Sequence, residues 1–107
     1  MPKFDDILDE IKDGIADLGK KTAKDFLDET RKDGEAFLAE IEDDLKRWVD
    51  LLAKGKLSPE EFQVLVEFNR DLAKMKASTR AGMAKKRVQD LANGFVDIIT
   101  KTVVKLL

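Results

Sequence analysis

The side chains able to do chemistry in this sequence are almost all carboxylates and amines. Asp and Glu number 22, Lys and Arg 20, and histidine, cysteine and tyrosine are absent. Thiolate or imidazole zinc sites, disulfides, thiol nucleophiles and histidine bases are therefore excluded together. Asp5, Asp6, Asp9, Glu10 and Asp13 include i,i+4 pairs, and Glu40, Asp43 and Asp44 form a second acidic group. A carboxylate-only metal site between helices would have to be built from such groups. Their helical spacing differs from a calcium loop, whose ligands alternate around a glycine turn. Acids in a first helical turn also complement the helix dipole unaided, so solvated faces are the plainer reading. Ser58 has no base beside it, and the six glycines form no G-x-G or G-K-S/T phosphate loop. No catalytic residue, cofactor or small-molecule substrate is implied, and a non-enzymatic protein is expected.

The bases are more concentrated. Lys74, Lys76, Arg80, Lys85, Lys86 and Arg87 fall in a stretch from Leu72 to Gln89 that contains no acid. They are the candidate contact for an anionic partner. No aromatic lies among them to stack on a base, and the net charge is -2, so nucleic acid is not expected. Residues 24–41 are acidic and supply an internal complement.

Elements must now position these groups. Phe4, Ile15, Phe26, Phe37 and Trp48 recur every eleven residues. Eleven residues make three helical turns plus about 20°, so one apolar stripe persists along a nearly straight helix. A helix over 3–54 is predicted, about 78 Å long if continuous, with breaks near Gly19 or Gly34 as the alternative. The period places Trp48 in the core. Gly55 can adopt the left-handed conformation that ends a helix. Ser58 then reads as an N-cap, Pro59 as N1 and Glu61 as the N3 partner of a capping box, with Leu57 stapled to Phe62. A second helix follows over 59–106, with a break near Gly82 allowed. Its apolar positions are read as Phe62, Leu65, Val66, Phe68, Leu72 and Met75, then Phe95, Ile98, Ile99, Val103 and Leu106. Met75 and Met83 are expected to fill core gaps.

The fold class is thus all-α: one domain over 1–107, a long antiparallel hairpin turning at 55–58 and paired into a helical bundle. Facing residues of the two arms should have numbers summing to about 113. Residues 1–53 carry 16 acids and 9 bases and residues 54–107 carry 6 acids and 11 bases, which favours packing arm on arm.

Two such helices hold more apolar surface than one neighbour covers. Each leucine left exposed forfeits roughly 1.5–3 kcal/mol. Three outcomes satisfy it: pairing with another copy, folding back at the glycines, or lying on lipid. Self-association is the leading function, with a homo-oligomer, preferably a dimer, as partner and Phe95, Ile98, Ile99, Val103 and Leu106 as candidate interface. The eleven-residue period over residues 4–52 resembles that of apolipoprotein-like and late-embryogenesis-type helices, although their alanine- and lysine-dominated repeats are not reproduced. The resemblance implies the second function, attachment to an anionic membrane surface through residues 95–107. Residues 1–20 are too acidic for a secretory signal, so a cytoplasmic protein is expected, or one peripheral at the membrane.

Overall fold

The computed structural model describes residues 3–22, 27–77 and 85–107. Among them are five helices and no strand: α1 (Phe4–Thr22), α2 (Leu27–Ala53), α3 (Pro59–Glu67), α4 (Arg70–Ala77) and α5 (Lys85–Leu106). The all-α reading holds. α1 packs on α2 and on α5, α4 packs on both α2 and α5, and α3 leans on α5. The result is a bundle of four bars, α3 and α4 together forming the third.

The turn between the second and third bars follows from local chemistry. Gly55 takes φ +73°. The Lys56 N–H donates to the Leu51 carbonyl at 2.9 Å, and the Gly55 N–H to the Leu52 carbonyl at 3.1 Å. That pair closes the end of α2 as a Schellman motif. Three residues on, the Glu61 N–H donates to Ser58 Oγ at 3.1 Å and the Ser58 N–H to Glu61 Oε1 at 2.9 Å. The capping box is complete, with Pro59 in the first turn of α3.

The single long first helix is corrected. α1 ends at Thr22 and α2 begins at Leu27, and the two lie side by side. The longest dimension of the fold is 44 Å, well short of a 3–54 rod. The division falls between Thr22 and Leu27, outside the described residues, and neither expected place marks it: α1 runs through Gly19 and α2 through Gly34. The physical reason is cover for apolar surface: folded back, α1 and α2 bury Ile7, Leu8, Ile11, Ile15, Phe37, Leu38, Ile41, Leu45, Trp48 and Val49 in one core. The eleven-residue stripe survives inside each helix. Phe4 is half-buried and Ile15, Phe37 and Trp48 are buried, while Phe26 lies outside the described residues.

The facing register holds between the first and last bars. A methyl group added at Gly14 would meet Ile98 Cγ2 at 2.8 Å, and one added at Gly94 would meet Leu18 Cδ2 at 2.5 Å. Both pairs sum to 112, so α1 and α5 run antiparallel as expected. The single second helix over 59–106 is corrected as well. α4 ends at Ala77 and α5 starts at Lys85, so the allowed break near Gly82 falls among residues outside those described. A further break divides α3 from α4. Here the Asn69 N–H reaches back only to the Val66 carbonyl, at 3.0 Å. Asn69 Nδ2 donates to the Leu65 carbonyl at 3.0 Å, serving an acceptor that the tightened turn would leave free.

Candidate interaction surface

The residues expected to meet a partner are placed very differently from one another. Phe95, Ile99 and Val103 are wholly buried in the chain's own core, and Ile98 and Leu106 are half-buried against it. The Phe95 ring stacks on Phe37 of α2, with centroids 6.4 Å apart and planes 24° apart. As an exposed interface this set is corrected, because the fold-back of α1 and α2 supplies the cover that a second copy or a lipid surface was expected to give.

The basic group divides between two helices. Lys74 is half-buried on α4, Lys85 and Lys86 are exposed, and Arg87 is half-buried in the first turn of α5. That turn holds no acid, so the three cations stand at the positive end of the α5 dipole and gain nothing from it. Arg80 and the Lys76 side chain lie outside the described residues. The ion pairs Arg47–Asp44 (2.8 Å), Lys54–Asp50 (2.9 Å) and Arg70–Glu67 (3.9 Å) each join residues one turn apart on exposed ground. Such pairs contribute little stability. Among the described residues no three acids converge as a metal ion would require. The Glu61 carboxyl is held below its ordinary range, by the hydrogen bond from the Ser58 N–H and then by the Ser58 hydroxyl. That is capping chemistry.

What the fold leaves uncovered lies elsewhere. Phe68 is 79% exposed, Met75 65% and Val64 47%. They stand at i, i+4 and i+11, one stripe along the outer side of α3 and α4. The inner stripe, Phe62, Val66 and Ala73, has the same spacing two residues earlier and is wholly buried. Two residues turn a helix by about 200°, so the stripes are back to back. Phe68 and Met75 were expected in the core, and that is corrected. Each stands about 160° round the helix from the buried residue two positions before it, Phe68 from Val66 and Met75 from Ala73. Glu67 flanks the outer stripe and is engaged by Gln63 Nε2 at 3.1 Å and by Arg70.

A second, smaller exposure surrounds Val104 and Leu107. Two open depressions of about 350 Å³ each flank Val104, one against Pro59, Glu60 and Gln63, the other against Leu52, Leu57 and Ser58. Neither gathers the convergent polar groups of a substrate site. No described helix is long and apolar enough to cross a membrane.

The fold and its surface therefore define a small all-helical bundle with an internal core. No protein-family model, curated protein or solved structure matches the chain.

Proposed function

We propose that this is a non-enzymatic helical interaction protein that acts by self-association. The observation that carries the reading is the exposure of Phe68 at 79% together with Val64 and Met75. Scattered surface leucines or valines are ordinary, whereas an aromatic side chain aligned with two more apolar groups on one stripe marks a contact surface. Nothing in the two shallow depressions competes with it. The mechanism is presentation of a patterned helical face, with affinity set by water leaving the apolar stripe. Mass in solution from about 1 to 100 μM tests it, the range in which a contact of modest size associates. The mean mass should rise with concentration; a strict monomer throughout overturns the proposal.

A further inference from the structure

We infer that the outer ridge of α3 and α4 receives a second copy of this chain, laid antiparallel, with Phe68 on Phe68 at the two-fold axis. The inference rests on the self-association proposed above and names its surface and geometry. A symmetric pair must use the same patch on both copies, so the patch has to complement itself. The ridge does so in charge. Phe68, its most exposed apolar side chain, lies between Val64 and Met75. The charge of the ridge is graded along its length: α3 carries Glu60, Glu61 and Glu67 and no base, and α4 carries Arg70 and Lys74 against Asp71.

Antiparallel pairing about Phe68 brings facing residues to numbers that sum to about 136. Glu60 then lies within side-chain reach of the partner's Lys74. Parallel pairing would instead set the three acids of one α3 against those of the other. Like charges so placed are repelled, and opposite ones choose the register. The stripe is small beside the roughly 800 Å² per partner of a standard interface, so the pair is reversible and concentration-dependent.

Sedimentation equilibrium of the full chain and its variants tests this. Phe68→Glu should weaken association by about tenfold or more, as loss of a central aromatic anchor does. Its helical circular dichroism should be unchanged, because the side chain is exposed; Val64→Lys is the second variant for the same surface. Glu60→Lys and Lys74→Glu should each weaken association, and the double variant should regain it, because in the antiparallel pair the exchanged charges meet again. A wild type that is monomeric throughout overturns the self-association reading and this surface with it. A dimer indifferent to Phe68→Glu and Val64→Lys overturns the surface alone. Failure of the double charge exchange to restore the pair overturns the antiparallel arrangement. Monomeric wild type that sediments with phosphatidylglycerol vesicles, dependent on Phe68, overturns the second copy as occupant in favour of lipid.

Discussion

Gly34 of α2 sits under Ile15 of α1 so closely that an added methyl group would stand 2.5 Å from Ile15 Cγ2 and 3.1 Å from Phe95 Cε1. Three bars of the bundle meet at that point. Alanine improves an exposed helix position by up to about 1 kcal/mol over glycine. Here overpacking wins, and Gly34→Ala should destabilise by about 1–3 kcal/mol in urea unfolding. An increase in stability would mean that α1 does not pack on α2 at this glycine.

The Phe37–Phe95 stack ties α2 to α5 across the core. Phe95→Ala should cost about 3–5 kcal/mol. A double-mutant cycle with Phe37→Ala should return a coupling of about 0.5–1.5 kcal/mol. Strict additivity of the two changes would show that the rings do not touch in solution.

The cap of α3 makes a prediction in two parts. Ser58→Ala should cost about 1 kcal/mol at neutral pH. The Glu61 carboxyl is held below its ordinary range in the folded chain by the Ser58 N–H and hydroxyl. A depressed folded pKa gives stability that is fully present above the unfolded value, near 4.3, and is lost as pH falls through the folded value. The stability difference between wild type and Glu61→Gln should therefore shrink on acidification below about pH 4. A difference constant from neutrality down through that range would refute the capping role of the ionised carboxylate.

Thr30 is wholly buried in the first part of α2, and its Oγ1 has no hydrogen-bond partner among the described residues. Valine keeps the shape and removes the unsatisfied hydroxyl. Thr30→Val should raise stability by about 1 kcal/mol, seen as a higher Tm. A lower Tm would reveal a hydrogen bond to the Thr30 hydroxyl.

Legibility in the sequence followed the range of the interactions. Gly55, Ser58, Pro59 and Glu61 could be read in advance because every bond they make closes within six residues. The antiparallel register of α1 with α5, Gly14 with Ile98 and Leu18 with Gly94, matches the expected sum, although each arm is divided into helices that pack on one another. Phe68 is apolar enough for a core, but its offset of about 200° from Val66 points it outward. The candidate interface at Phe95, Ile99 and Val103 was misread because an apolar helical stripe has the same pattern whether its cover comes from its own chain, a copy or lipid.

By itself, then, the sequence determined that the chain is helical, which stripe of each helix is apolar, and where one sharp turn must fall. Those are matters of backbone propensity, capping and period, settled between near neighbours. Tertiary structure alone decided that α1 folds back on α2, that Phe95 is core, and that Phe68 is left in water. Those outcomes depend on which apolar faces can close over one another. Gly34 admits Ile15 from one helix and Phe95 from another, and that meeting of residues distant in the chain exists only once the bars are packed.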